Sequence, residues 1–130
     1  MFELLKKVLK PYGPSGNETE VAEVIQRELT GHVDSMTVDA MGNLIVVKKG
    51  TNPNGKKVML SAHMDHIGFI VTGFEKQGVL RVTSVGGVSA DSNQYRHVVF
   101  GNGMEGVVVS QPLKPGESRA MKHLFIDIGA

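Results

Sequence analysis

The chain contains no cysteine and no tryptophan, and its aromatic residues are five phenylalanines and two tyrosines. Without cysteine, disulfides, thiolate zinc ligands and thiol nucleophiles are all excluded. A net charge of +1 and few aromatic rings provide neither the basic field nor the stacking surface used for nucleic acid. No apolar run approaches the length of a membrane span, and the amino-terminal MFELLKKVLK lacks a small-residue cleavage site. We therefore expect a cytoplasmic protein with no nucleic-acid or membrane partner.

Two amphipathic helices are predicted in the first 30 residues. The first has apolar residues at helical spacing and should end before Pro11, because the residue preceding a proline is driven out of the helical region. The second has two candidate capping boxes, Ser15 with Glu18 and Asn17 with Glu20. We expect both helices to cover a sheet.

Short strands are predicted along the rest of the chain, and their pattern changes after residue 66. Before it, three strands alternate with turns, at Val33–Val38, Leu44–Lys48 and Lys57–Ala62. After it, short β-rich runs separated by glycines are typical of a small barrel or sandwich. These runs are Ile67–Thr72, Val79–Val85, His97–Phe100, Gly106–Ser110 and Leu124–Ile128. We predict an α/β fold in two parts, with helices and mixed sheet in residues 1–66 and a β-barrel in residues 67–130.

The stretch KVMLSAHMDHIGFIVTG, residues 57–73, places ionisable groups directly after an apolar strand. Open α/β sheets hold their ligands at the carboxyl ends of strands. Side chains alternate in an extended segment, so His63 and Asp65 should project to one side and His66 to the other. A metal-bound imidazole usually donates its second ring N–H to a carboxylate. His63 and Asp65 are therefore candidates for a metal ligand and its supporting group.

The histidines also allow simpler interpretations. His-x-Asp is a common sequence, and histidines are often merely hydrogen-bonded. His66 could equally be the ligand, because nothing in the local sequence forbids it. His32, His97 and His123 have no second ligand at a useful spacing. We interpret His32 as a surface residue and the other two as strand-edge residues.

Four segments resemble, in order and spacing, a known family of enzymes. They are GPSGNE at residues 13–18, DAMGNLIV at 39–46, KVMLSAHMDHIGFIV at 57–71 and KHLFIDIGA at 122–130. Together they resemble the N-terminal third of the glutamyl-aminopeptidase-like, tetrahedral-aminopeptidase family of dinuclear zinc or cobalt exopeptidases. Members of this family have often been labelled cellulase or endoglucanase. The similarity runs essentially from end to end of the 130 residues.

The resemblance implies a metal ligand at His63 and a catalytic carboxylate at Asp65 that supports it. It implies that residues 1–66 begin a zinc-exopeptidase catalytic domain, and that residues 67–130 belong to an inserted β-barrel domain for dimerisation. Two divalent metal ions, zinc or cobalt, are implied for the full enzyme, together with a peptide substrate and a homo-oligomeric assembly.

The chain also departs from the family pattern. His66 stands where members mostly carry Glu, and residues 87–95, GVSADSNQY, lack the usual Trp-Asp-Pro-Arg-like run. The family's other ligands and its general base lie beyond Ala130, and Asp127 is not the bridging aspartate. A two-metal hydrolase needs ligands for both ions and a base for the bridging water. We expect a truncated, proteolysed or separately encoded fragment that is inactive alone and binds no metal ion stably.

Two other functions compete with the peptidase. The chain could be a non-catalytic β-barrel interaction module in which the α/β segment is a remnant. A glycanase is discounted, because cleavage of a glycosidic bond needs two facing carboxyl groups and no second carboxylate lies near Asp65 in sequence.

Overall fold

The chain divides into two compact units, Met1–Asp65 and His66–Ala130. The structure is a computed structural model, and it describes residues 1–76 and 78–130. The predicted division lies one residue further along the chain, and the roles assigned to the two parts remain predictions. Within the described residues, no helix is long and apolar enough to cross a bilayer.

The first unit contains two helices and a two-stranded antiparallel sheet. Helix α1 spans Phe2–Leu9, helix α2 spans Thr19–Leu29, and strands β1 and β2 span Ser35–Val38 and Leu44–Val47. Helix α1 ends ahead of Pro11. This is expected, because proline has a fixed φ angle and no backbone N–H. Both helices and both strands follow the predicted periodicities.

Helix α2 begins without the side-chain cap that its sequence predicts. Its N-cap residue is Glu18, and no side chain caps the helix. The Glu18 carboxylate instead accepts the Gly16 N–H at 2.5 Å, and the Ser15 hydroxyl donates to Asp65. The capping-box prediction is therefore wrong, because these polar side chains have other partners.

Residues 57–62, predicted as a third strand, belong to no strand in the structure. Val58, Met59 and Leu60 are 82%, 87% and 93% exposed. A strand is stable only when a neighbour satisfies its backbone N–H and C=O groups. The segment thus has the composition of a buried strand but is paired with no other strand of the described chain.

The second unit is built around a curled five-stranded antiparallel sheet. Its strands are β3 (Gly68–Phe74), β4 (Val79–Val85), β5 (His97–Val99), β6 (Glu105–Ser110) and β7 (Leu124–Asp127). They lie in the order β3-β4-β7-β6-β5, so the last strand along the chain is at the centre. These strands match the five predicted β-rich runs to within a few residues.

The core of the second unit follows from alternation along its strands. In β4, Leu80 and Val82 point inward while Arg81 between them is exposed. The same alternation in β6 and β7 buries the facing side chains Val108, Leu124 and Ile126. Each such burial stabilises the fold by roughly 1.5–3 kcal/mol relative to an exposed side chain.

His123, interpreted from the sequence as a strand-edge residue, lies directly before a strand and is buried. It ends a 3-10 turn, Met121–His123, that precedes β7. Its Nδ1 accepts the Ala120 N–H at 3.1 Å, and its Nε2 lies 3.2 Å from the Glu117 carboxylate. Since Nδ1 is an acceptor, the proton of the neutral ring lies on Nε2. This histidine is a satisfied structural residue.

Candidate functional site

His63 and Asp65 lie at the end of the first unit, in a segment outside any helix or strand. The His63 Nδ1 is 2.8 Å from Asp65 Oδ1 and 3.0 Å from the Asp65 backbone oxygen. The His63 side chain is 84% exposed, and that of Asp65 is 35% exposed. The two side chains therefore meet, although the regular strand from which alternation predicted their contact is absent.

The surroundings of the His63 ring determine which of its nitrogens carries the proton. Both neighbours of Nδ1, a carboxylate and a carbonyl oxygen, can only accept a hydrogen bond. Nδ1 is therefore the N–H donor, and Nε2 keeps its lone pair. An imidazole held in this way by a carboxylate is the arrangement usually found in metal-ligating histidines.

Ser15 is a third member of the site, and sequence reasoning missed it. Its hydroxyl donates a hydrogen bond to Asp65 Oδ2, so both oxygens of this carboxylate have partners. The Ser15 hydroxyl, and after it the His63 ring, hold the pKa of Asp65 below its usual value. Both contacts stabilise the charged form of the carboxylate. The only available signal was the position of Ser15 inside the GPSGNE segment.

The chemistry of this donor set fits one ligand of a metal centre. His63 offers one imidazole nitrogen with a supported tautomer, whereas zinc sites use three or four protein ligands. In residues 1–76 and 78–130, no group of three or more His, Asp or Glu side chains could hold a metal ion. Among the described residues, His63 and Asp65 thus have the chemistry of one ligand and its support, and a ligand role for His63 remains a prediction.

His66, the alternative ligand, has a different local environment. It is the first residue of the second unit, and its Nδ1 lies 2.9 Å from the Ile67 carbonyl oxygen. This contact is to a backbone carbonyl rather than to a carboxylate. A ligand role for His66 remains a prediction.

Comparison with known proteins finds a family and a relative that are both aminopeptidases by name. Residues 42–130 match the M42 glutamyl aminopeptidase family. Over its whole length, the chain is 45% identical to a protein of Acetivibrio thermocellus. The name of that protein assigns it an aminopeptidase activity by inference. The chain covers 39% of the length of that relative.

Two examples illustrate the solved structures that share the fold. One is the TET1 peptidase of Pyrococcus horikoshii, described as able to assemble into a tetrahedron or a large octahedral shell. It has a TM-score of 0.78 at 37% identity, over 99% of this chain and 40% of its own. The other is a Thermotoga maritima protein named endoglucanase, with a TM-score of 0.79 at 36% identity, over 97% of this chain and 38% of its own. The mixed α/β arrangement with a curled sheet is thus that of a TET peptidase structure, and the predicted endoglucanase label does occur.

Proposed function

Because the chain belongs to the M42 glutamyl aminopeptidase family, we propose that it forms the amino-terminal part of a metal-dependent aminopeptidase. In this proposal, residues 1–66 begin a zinc-exopeptidase catalytic domain, and residues 67–130 belong to an inserted β-barrel domain. The observation that carries the proposal is the His63 ring, whose Nδ1 lies 2.8 Å from the Asp65 carboxylate. This contact leaves Nε2 available for a metal ion.

The residues of the site have distinct roles in this enzyme. His63 binds a metal ion through Nε2, and Asp65 is the catalytic carboxylate that holds the ring and makes it more basic. A pair of zinc or cobalt ions, partly held by His63, would supply Lewis-acid activation of a carbonyl group and of a water. The other ligands and the general base come from protein outside these 130 residues. The chain alone is therefore expected to bind zinc weakly and to hydrolyse no peptide.

The proposal is tested first by isothermal titration of the chain with zinc. We expect no tight stoichiometric binding by the wild type and no change in His63→Ala. Tight binding that His63→Ala abolishes would contradict the proposal that the centre needs further protein.

A second test assays a longer polypeptide that contains this chain, using aminoacyl-anilides with added zinc or cobalt. His63→Ala should abolish hydrolysis, and Asp65→Ala should lower metal affinity or activity by about 10–100-fold. His32→Ala is the matched control, because His32 is an exposed histidine of the same unit. Hydrolysis that needs no metal ion would overturn the proposal.

The contacts of Asp65 favour a peptidase over a glycanase. A glycosidase needs two carboxyl groups on either side of the scissile bond, about 5–10 Å apart. One oxygen of the Asp65 carboxylate contacts His63, and the other accepts the Ser15 hydroxyl. Both oxygens therefore have partners within the site. Hydrolysis of cellulose by the purified protein would reverse this preference.

The second unit is proposed to mediate homo-oligomerisation. Strand β3 lies at one end of the sheet order, and its side chains Ile70 and Phe74 are exposed. An edge strand with exposed apolar side chains is a ready surface for association. The described assemblies of the P. horikoshii TET1 peptidase support the same proposal.

Light scattering coupled to size-exclusion chromatography tests the assembly. Ile70→Lys should reduce the oligomer mass, whereas Thr37→Lys, at an exposed position of β1, should leave it unchanged. An unchanged mass in Ile70→Lys would exclude this edge as the interface. Association of the chain, combined with no hydrolysis by any longer polypeptide, would instead favour the non-catalytic interaction module.

A further inference from the structure

Ser15 lies in the loop that leads into α2, and it is exposed. It does not cap the helix, since the N-cap residue is Glu18 and no side chain caps α2. Its hydroxyl instead donates to Asp65, a residue 50 positions further along the chain. The hydrogen bond therefore joins the α2 loop to the segment that carries the candidate metal ligand.

The carboxylate of Asp65 is restrained through both of its oxygens. Oδ1 faces His63 Nδ1 at 2.8 Å, and Oδ2 accepts the Ser15 hydroxyl. The side-chain torsion next to a carboxylate is broad when nothing restrains it. With one contact on each oxygen, the plane of the carboxylate is set. Ser15 thus controls the orientation of the group that His63 faces.

The tautomer of His63 depends on that orientation. Which ring nitrogen carries the proton is set by the hydrogen bond that the other nitrogen makes. If the carboxylate rotates away, Nδ1 keeps only the Asp65 backbone oxygen as an acceptor, and the preference for the Nδ1–H tautomer over the Nε2–H tautomer weakens. Residues 57–65 lie in no helix or strand, so no strand pairing holds this segment in place. A protonated Nε2 cannot bind a metal ion.

We propose that Ser15 is a positioning residue, which acts through Asp65 to keep the His63 ring protonated on Nδ1 with Nε2 open to a divalent metal ion. This inference rests on the proposed role of His63 as a ligand. The site then contains three hydrogen-bonded residues, which are Ser15 in the α2 loop, Asp65 and His63.

The test is nitrogen-15 NMR of the 130-residue chain with labelled histidines, at a pH of about 8.5, where histidines are ordinarily neutral. Wild type should show the Nδ1–H pattern for His63. Ser15→Ala should shift the His63 signals toward the Nε2–H pattern, and Ser15→Thr, which keeps the hydroxyl, should restore the wild-type pattern. Ser61→Ala removes another exposed serine near His63 and should change nothing.

The four other histidines report on folding in the same spectra. An unchanged His63 pattern in Ser15→Ala overturns the inference. If Ser15→Ala disturbs the other histidines as well, Ser15→Thr decides, and a Thr variant that loses the Nδ1–H pattern also overturns it.

A zinc titration separates this inference from the proposed function. In a longer polypeptide with a complete centre, Ser15→Ala should weaken zinc binding by up to about tenfold, at the low end of the effect of supporting residues. If His63→Ala binds zinc as tightly as wild type there, the proposed ligand role fails. The tautomer result then still decides whether Ser15 positions the ring.

Discussion

The two units have equal lengths, 65 residues each, but they differ in how much apolar surface they bury. In the second unit, five hydrophobic residues of three strands form a buried cluster. In the described residues of the first unit, the buried hydrophobic residues are Val21 and Ala22, both in α2. The candidate site lies in the unit with the smaller core.

The difference arises from the sheets. A two-stranded ribbon is marginally stable in water, whereas three or more strands with a shared apolar face can support a core. Val46 of β2 and the run at residues 58–60 have strand composition, but a strand buries little without neighbours on both sides. Apolar sequence is therefore necessary for a core but not sufficient, and the position of neighbouring strands decides the outcome.

The largest difference between the two units is expected when one leucine is truncated in each. Leu124→Ala removes a side chain that is 1% exposed, and it should lower the free energy of unfolding by about 2–5 kcal/mol. Leu60→Ala removes an exposed side chain and should change it by no more than about 0.5 kcal/mol. Urea unfolding followed by circular dichroism measures both. Equal effects would show that residues 58–60 are buried in solution.

A glycine substitution tests the packing of the second unit more finely. A Cβ added at Gly106 would lie 2.6 Å from the Ile126 Cγ2 and 3.0 Å from the Asp127 backbone oxygen. Strands β6 and β7 would have to move, so Gly106→Ala should cost about 1–3 kcal/mol of stability. Gly87→Ala meets nothing within 4 Å and serves as the control. A thermal unfolding midpoint equal in both variants would contradict this account.

Surface ion pairs should contribute less than packing in either unit. Arg81 Nε donates to the Glu75 carboxylate at 2.8 Å, and both side chains are partly exposed. Glu75→Ala should cost less than about 1 kcal/mol, with a smaller cost at high salt. The pair between Lys6 and Glu3 in α1, at 3.2 Å, should contribute about 0.2–0.5 kcal/mol. Unfolding of Glu75→Ala and Glu3→Ala at low and high salt measures these costs, and a cost that salt leaves unchanged would point to packing instead.

Acid should affect the first unit through Asp39, and this is the smallest effect expected. The Asn43 side chain, followed by its backbone N–H, lowers the pKa of Asp39 below its usual value. Because the folded pKa is lower than the unfolded one, the charged form stabilises the turn. This stability is fully present above the ordinary value of 3.8 and is lost as the pH falls through the lowered pKa.

NMR of the Asn43 amide between about pH 6 and pH 2 follows this loss. Asp39→Asn keeps an acceptor oxygen but removes the titration, so its turn should not respond to acid in that range. A wild-type turn that opens well above pH 4 would show that another group titrates first.

Local periodicity was sufficient to predict most elements of this fold. Helices α1 and α2 and the strands of both units follow from apolar spacing, because burial of one face requires that spacing. The predicted strand at Lys57–Ala62 failed for a different reason, since pairing depends on a neighbour that local sequence does not encode. The burial of His123 was not predicted, because it depends on the residues that surround its turn, such as Glu117, and local sequence does not specify them.

From the sequence alone, alternation predicted that His63 and Asp65 face the same side, and the two side chains do meet, although outside any strand. The contact of Ser15 with Asp65 and the place of β7 between β4 and β6 are seen only in the folded chain. Both arrangements join residues far apart along the chain. They depend on how the backbone returns on itself, and no local period of side chains specifies that path.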